Sequence, residues 1–519
     1  MNASLQSADQ PLCLVSGSRS ISHDALLVNA RRAASGFHDL GVWQGDQVAL
    51  LLRNDFPFFE ASLGAALLGA SPVPLNWHLT ADEIAYILDD CSAKVLVAHA
   101  DLLTEAVLAV CGNVEVIAVE TPAEIAASYH IGPTALTAPG GIALWTAWLA
   151  AYPEWRETPR MVSGPMFYTS GTTGRPKGVK RKSAPPDVVA SIERRTNIAW
   201  GLDRKPIRAV MTGPMYHSAP NAYGLYAVRG GGLLILQPRF DAEELLALIE
   251  RHRVTHLHMV PTMFVRLLAL PESTRRRHDL SSLTFVAHGS APCPPDVKQR
   301  MIDWWGPIIH EYYAMTEIGI STCTNSAEWM SHPGSVGRAL PGVSIRIVDD
   351  ARNACPVGTT GEICVRSETT TRFTYHRADD KTEAVRLGDF VATGDVGHVD
   401  DAGFLYISDR KTDMVISAGV NIYPAEIEHA LIGVENVRDC AVFGVPDAEF
   451  GERLVAVIER SGDVQEPALR AHLKSRLAGF KIPREIVFTE TLPREDSGKI
   501  KKRLVRQEFL DGHLTRANG

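Results

Sequence analysis

Apolar positions along this chain gather into short β-like runs separated by stretches at helical spacing, and the alternation persists for most of its length. Repeated strand–helix alternation predicts parallel βα units. The segment 241–244, Asp-Ala-Glu-Glu, reads as a helix start with an acid at the cap and a glutamate three residues on; Leu245, Leu246, Leu248 and Ile249 continue it at helical spacing. Residues 256–260 read as a strand that Pro261 ends, and Met263, Phe264, Leu267 and Leu268 mark a second amphipathic helix. A further strand is predicted over 283–287, and Pro294 sits at the first turn of the next helix. Trp304, Trp305, Tyr312 and Tyr313 flank a strand predicted over 307–311 and are assigned mainly to core packing.

The pattern changes near residue 409, where Gly- and Asp-rich turns give way to Asp409-Arg-Lys-Thr-Asp413. A domain boundary is placed there, giving 1–409 and 410–519. The second part carries helical patterns over 425–432 and 466–477 among strand-like runs at 441–445, 454–458 and 485–489, a small α+β domain. The fold class expected is α/β: a large N-terminal α/β domain of several subdomains plus this smaller domain. A chain of 519 residues exceeds the length at which one core usually stops growing, which agrees with a division. The apolar stretch 61–74 contains two prolines and is too short to span a bilayer, so it reads as a buried helix entering a loop.

Composition narrows the function. Hydrophobic residues at 45% and charged residues at 22% describe a folded globular chain. The net charge of -8 opposes general nucleic-acid binding. Eight scattered cysteines, none at C-x-x-C spacing, read as reduced thiols rather than as a disulfide scaffold or a zinc site. The first residues lack a basic region followed by an apolar run, so a cytoplasmic location is expected.

The most informative segment is 167–179, Phe-Tyr-Thr-Ser-Gly-Thr-Thr-Gly-Arg-Pro-Lys-Gly-Val. Its glycines let the backbone approach a ligand, its hydroxyls donate, and Lys177 adds charge, which together suit a polyphosphate. It is not a P-loop, because Pro176 precedes the lysine and Gly178 follows it, leaving no metal-binding hydroxyl. Four more elements follow in order: Tyr313-Ala-Met-Thr-Glu317, Thr393-Gly-Asp395, Asp409-Arg-Lys-Thr-Asp413 and Leu492-Pro-Arg-Glu-Asp-Ser-Gly-Lys499. In this set and order the chain resembles the adenylate-forming superfamily, which includes acyl-CoA synthetases, aryl-CoA ligases, peptide-synthetase adenylation domains and firefly luciferase.

The resemblance implies ATP, Mg²⁺ and coenzyme A as ligands, with AMP transferred to a carboxylate. Thr169, Ser170, Gly171, Thr172, Thr173, Gly174 and Lys177 would meet the departing pyrophosphate, and Thr316 and Glu317 the α-phosphate and Mg²⁺, with Thr172 a second metal contact. Tyr313 would lie against adenine, opposite the backbone of Gly289, Ser290, Ala291 and Pro292, with Tyr312, Ala314 and Met315 beside it. Asp395 suits the ribose hydroxyls, and Arg410 resembles a second ribose and phosphate contact. Lys499 follows a Ser-Gly turn from which a long cation can cover the attacked phosphate. His217 matches the histidine at the mouth of the acyl pocket and is assigned to positioning, since a carboxylate nucleophile is already ionised. The resemblance further implies that the small domain rotates after adenylation and brings Ser417, Ala418 and Gly419 to the site for coenzyme A. Thr412, Ala418 and Ala314 depart from the usual pattern.

The reading is an ATP-dependent carboxylic acid:CoA ligase, with a stand-alone enzyme loading a carrier protein as the alternative and a homodimer as the expected assembly. Segment 211–239 has no acid to meet an amino acid's ammonium, and Ser218, Ala219, Ala222, Gly224, Val260, Met263 and Ile320 suggest a fatty, aromatic or alicyclic acid. The chain-wide charge hides two cationic segments: five basic residues and no acid over 175–182, and eight basic against four acidic over 481–506.

Overall fold

The computed structural model describes residues 11–158, 160, 164–169, 176–369, 372–417, 420–495 and 499–514. Two large sheets follow the expected βα pattern. One is five-stranded and wholly parallel, in the order Ser71–Pro74, Gln47–Leu51, Val95–His99, Glu115–Val119, Ala143–Leu144. Every residue of Gln47–Leu51 and of Val95–His99 is buried, as expected where helices cover both faces. The other sheet has nine strands, its centre formed by the parallel run Leu233–Leu236, Arg208–Met211, His256–Met259, Phe285–His288 and Ile309–Met315.

Helices His23–Asp39 and Phe56–Leu67 share one core with residues of both sheets. The two helices approach closely at Gly64, where a Cβ would stand 2.8 Å from Ala33 Cβ, so a larger residue would force them apart.

The predicted cap at Asp241 is present: its carboxylate accepts from the Glu244 amide at 2.8 Å and opens helix Ala242–His252. Three sequence expectations are corrected. The stretch 61–74 does not end in a loop; after helix Phe56–Leu67 the chain enters strand Ser71–Pro74, an edge position that tolerates both prolines. The strand predicted over 307–311 runs instead over Ile309–Met315, so Tyr312 and Tyr313 lie inside it while Trp304 and Trp305 close helix Pro295–Trp305. Residues 344–410 form an antiparallel sheet of Ser344–Val348, Gly361–Arg366, Phe390–Val399, Arg386–Leu387 and Leu405–Arg410, where no separate sheet was anticipated.

A small antiparallel sheet joins distant segments: Phe167–Thr169, Lys177–Arg181 and Phe373–Tyr375. Arg410 still belongs to the large part of the chain, and Val415–Ser417 begins the next sheet, so residues 411–414 connect the two. That last sheet contains Val437–Asp447, Gly451–Arg460 and Glu485–Thr489, covered by helices Pro424–Ile432 and Glu466–Arg476. Its core is its own, centred on Ile427, Leu431, Val442, Ala456, Leu469 and Ile486. All eight cysteines are free thiols. Among the described residues no helix is long and apolar enough to cross a membrane.

Candidate active site

A cavity of about 1290 Å³ lies where these units meet. It is lined by the small sheet (Thr169, Lys177, Arg181, Tyr375), by the end of strand Ile309–Met315 and the turn after it (Tyr312, Ala314, Met315, Thr316, Glu317), and by Thr393, Gly394 and Arg410 from the antiparallel sheet. Glu495, Lys499 and Arg503 reach it from the C-terminal part. Among the described residues ten Lys and Arg side chains line it against four Glu, the reverse of the chain's 52 basic and 60 acidic residues. A polyanion is therefore attracted to the cavity although the molecule as a whole is anionic.

Thr169 and Lys177 face each other as partners across the first hairpin of the small sheet. Ser170, Gly171, Thr172, Thr173 and Gly174 between them lie outside the described residues, as do Ala418 and Gly419. The Lys177 ammonium stands 4.9 Å from the centre of the Tyr375 ring. Tyr375 donates from its hydroxyl to Glu317 Oε1 at 2.9 Å. Thr316 accepts at its carbonyl from Arg181, and its hydroxyl pairs with that of Ser218 at 3.2 Å.

Among the described residues no group of three or more His, Cys, Asp and Glu side chains could by itself hold a metal ion. One carboxylate beside a hydroxyl, Glu317 with Thr316, nevertheless fits Mg²⁺, which takes few protein ligands and fills its octahedron with water and phosphate oxygens.

The tyrosine assigned to adenine is differently placed from expectation. Alternation along strand Ile309–Met315 puts Tyr312 on the cavity wall, while Tyr313 packs into a core cluster with Val179, Ile318 and Tyr375. The Tyr313 hydroxyl donates to Asp395 Oδ2 at 2.5 Å, and burial together with that carboxylate holds the phenol well above its ordinary range. Asp395 Oδ1 pairs with Arg410 Nε at 2.8 Å, and the two residues are partners across adjacent strands. Asp395 thus braces Tyr313 and Arg410, and it is Thr393, Gly394 and Arg410 that line the cavity.

Tyr312 pairs through its hydroxyl with His258 Nε2 at 2.7 Å, and burial lowers the His258 pKa to about 4, leaving the ring neutral. Gly289 lets this tyrosine approach: a Cβ there would lie 2.7 Å from the Tyr312 carbonyl oxygen. Ser290 and Ala291 line the cavity beside it, Ser290 at a φ of 69°, and Pro292 follows behind the wall.

His217 precedes helix Ser218–Arg229 and faces the C-terminal part, its Nε2 at 3.7 Å from Glu495 Oε2. The loop before it is clamped from two sides: Asn54 donates to the Gly213 carbonyl and accepts from the Met215 amide, both at 2.9 Å, and Asn221 donates to the Met215 carbonyl at 3.0 Å. Lys499 lies on the cavity wall, its carbonyl accepting from the Glu495 amide at 2.8 Å. Ser417 ends strand Val415–Ser417 and is not among the lining residues. Elsewhere the wall turns apolar, with Ala219, Ala222, Leu225, Val260, Met263, Ile192 and Ile320. Gly224, grouped with these from sequence, packs against Met211 instead.

Sequence reasoning missed Tyr375, Arg181 and Glu495. A two-residue period from Lys177 points to Arg181 on the same face of its strand, a signal that was available.

Two family models match this chain: that of AMP-binding enzymes over residues 3–375 and that of the AMP-binding enzyme C-terminal domain over 426–499. The long-chain-fatty-acid–CoA ligase FadD13 of Mycobacterium tuberculosis is 32% identical over 488 residues, 92% of this chain and 91% of that protein. A feruloyl-CoA synthase of an Amycolatopsis species is 32% identical over 508 residues, 95% of each. A crystal structure of ATP-bound MatB from Rhodopseudomonas palustris superposes with a TM-score of 0.81 at 29% identity, covering 98% of each chain. The chain belongs to the AMP-binding enzyme family, among the adenylate-forming acyl-CoA synthetases.

Proposed function

We propose that this enzyme is a carboxylic acid:CoA ligase for an apolar acid, using ATP and releasing AMP. In the first step a carboxylate oxygen attacks the α-phosphorus of ATP, the bond to the bridging oxygen breaks, and pyrophosphate leaves. In the second, the sulfur of coenzyme A attacks the acyl carbon, AMP departs with the bonding electrons, and the thiol proton is released. Activation is needed because a carboxylate oxygen is a poor leaving group. The observation that carries this reading is convergence: Lys177, Thr316, Glu317, Arg410 and Lys499 meet in one cavity with His217 and the apolar wall of Ala222, Val260 and Met263.

Lys177 and Lys499 offset charge that builds on the phosphates, with the hydroxyls of the 170–174 loop assigned to pyrophosphate. Glu317, Thr316 and Thr172 would hold Mg²⁺, which when bound neutralises phosphate charge and polarises the reacting phosphorus. Tyr312, Gly289, Ser290 and Ala291 form the purine wall. Tyr313 and Asp395 brace Arg410, which contacts the sugar or phosphate. His217 orients the acid, and its contact with Glu495 ties the acyl end to the lysine-bearing hairpin.

The part of the chain beyond the 411–414 connection is assigned to a mobile domain that presents Lys499 for the first step and the 417–419 segment for the second. The present arrangement supports this reading, since Lys499 lines the cavity and Ser417 does not. The relatives above are named for coenzyme A ligation, which does not favour the carrier-protein alternative. A homodimer and a cytoplasmic location complete the proposal; light scattering and cell fractionation test them.

The substrate is tested by pyrophosphate release across fatty, aromatic and alicyclic acids, with and without coenzyme A. Coenzyme A-dependent turnover is expected with at least one class and none with amino acids. No dependence on coenzyme A with any acid would sink the ligase reading.

A further inference from the structure

Glu317 and Thr316 sit in a turn, and a turn does not by itself hold a carboxylate in one orientation. Carboxylates that contact metal ions are generally oriented by a surrounding layer of hydrogen bonds. The small three-stranded sheet supplies such a layer. Strand Lys177–Arg181 pairs with strand Phe373–Tyr375, Phe373 opposite Arg181 and Tyr375 opposite Val179. The sheet thereby delivers Arg181 and Tyr375 to this turn and sets Lys177 over the Tyr375 ring.

Tyr375 fixes one Glu317 oxygen at 2.9 Å and leaves the other for a ligand. A phenol is protonated at neutral pH, so Tyr375 is the donor in this bond. The same ring lies under the Lys177 ammonium, so one side chain orients both a cation and an anion of the site.

Arg181 donates to the Thr316 carbonyl. Among the described residues it has no carboxylate within ion-pair distance, whereas Arg195 pairs with Glu368 at 2.6 Å and Arg410 with Asp395 at 2.8 Å. Burial lowers the pKa of its guanidinium, with the more distant Glu317 charge acting the other way. It therefore brings largely uncompensated positive charge to the wall of a cavity assigned to a polyphosphate.

The geometry points to Tyr375 and Arg181 as positioning residues that hold the Glu317 carboxylate and the Thr316 main chain toward the metal–nucleotide complex. The inference rests on the assignment of Glu317 to that complex. It predicts separable roles: Tyr375→Phe loses only the bond to Glu317, and Tyr375→Leu also loses the ring under Lys177.

The test measures Mn²⁺ binding in the presence of a non-hydrolysable ATP analogue by electron paramagnetic resonance, alongside steady-state kinetics and melting temperature. Tyr375→Phe and Arg181→Met are expected to weaken Mn²⁺ about five- to tenfold and to lower kcat/KM for ATP, with the KM for the acid unchanged. Arg181→Lys should recover part of the loss, and of the two Tyr375 variants only Tyr375→Leu should also weaken the analogue measured in EDTA. In a Glu317→Gln background, Tyr375→Phe should add nothing, because its route through Glu317 is gone.

The inference is overturned if both single variants bind Mn²⁺ like wild type, if the Tyr375→Phe loss persists undiminished in the Glu317→Gln background, or if Mn²⁺ affinity falls only as far as the melting temperature does. Wild-type Mn²⁺ affinity in Glu317→Gln itself would remove the assignment of Glu317 together with the inference. A normal loss there with unaffected Tyr375→Phe and Arg181→Met would remove the inference alone.

Discussion

At one end of the cavity Lys177, Thr316, Glu317, Arg410 and Lys499 come from four separate stretches of chain; at the other, Ala222, Val260, Met263 and Ile320 come from helices and strands around the nine-stranded sheet. The first end is held by bonds between distant residues, Tyr375 to Glu317, Tyr313 to Asp395 and Arg181 to Thr316. The second is held by packing, with His258, Tyr312 and Trp200 in edge-on and tilted contact at its base. Charge geometry at the nucleotide end must match one transition state, whereas an apolar wall can change shape without touching that chemistry. Substitutions at the first end should therefore lower the rate for every acid, and those at the second should redistribute rates among acids.

The largest effect is expected at Lys499. Lys499→Ala should lower acid-dependent pyrophosphate exchange about 100- to 1,000-fold and leave thioester formation from pre-made acyl-adenylate nearly intact. Equal loss of both steps in a folded variant would contradict the division of labour between the two faces of the C-terminal domain. Lys177→Ala comes next: loss of one cation on the phosphates should reduce kcat/KM for ATP about 10- to 100-fold, with no change in the order of preferred acids. A reordering of acids would break the separation between the two ends.

Ala222→Phe narrows the apolar end. It should cost the bulkiest acids about tenfold in kcat/KM while small acids and the KM for ATP are unaffected, read from the same panel of acids.

The last prediction concerns stability rather than rate. Burial holds His310, stacked on Phe285 at 3.9 Å, at a pKa of about 4 instead of 6.5. A folded-state pKa below the unfolded value means the unfolded chain binds the proton more readily. The contribution is whole above about pH 6.5 and is lost as pH falls toward 4. Over that window urea unfolding should show the wild type losing on the order of 2–3 kcal/mol relative to His310→Phe, which cannot titrate. Parallel stability curves would contradict it.

The contrast between the ends also explains what could be read from the sequence. Segment 167–179 and the glutamate at 317 were legible because each carries its chemistry in a few consecutive residues. The helix over 242–252 was legible because capping and period are local. Tyr375 and Arg181 were not singled out, since their partners lie 58 and 135 residues away and only the small sheet unites them. Both tyrosines were expected at the cavity, and only Tyr312 lines it; the strand was taken to end at 311, before the alternation that decides which ring faces inward. The antiparallel sheet over 344–410 was obscured by short strands between Gly- and Asp-rich turns, whose pairing is set by partners up to 36 residues distant.

The central claim, that one cavity joins an acid to coenzyme A by way of an adenylate, is tested most directly by a single turnover with limiting ATP and the preferred acid. Wild-type enzyme should yield AMP and acyl-CoA one to one, with pyrophosphate released first. Without coenzyme A, acyl-adenylate should accumulate on the enzyme. Release of ADP and phosphate, or formation of thioester with no adenylate preceding it, would contradict the account.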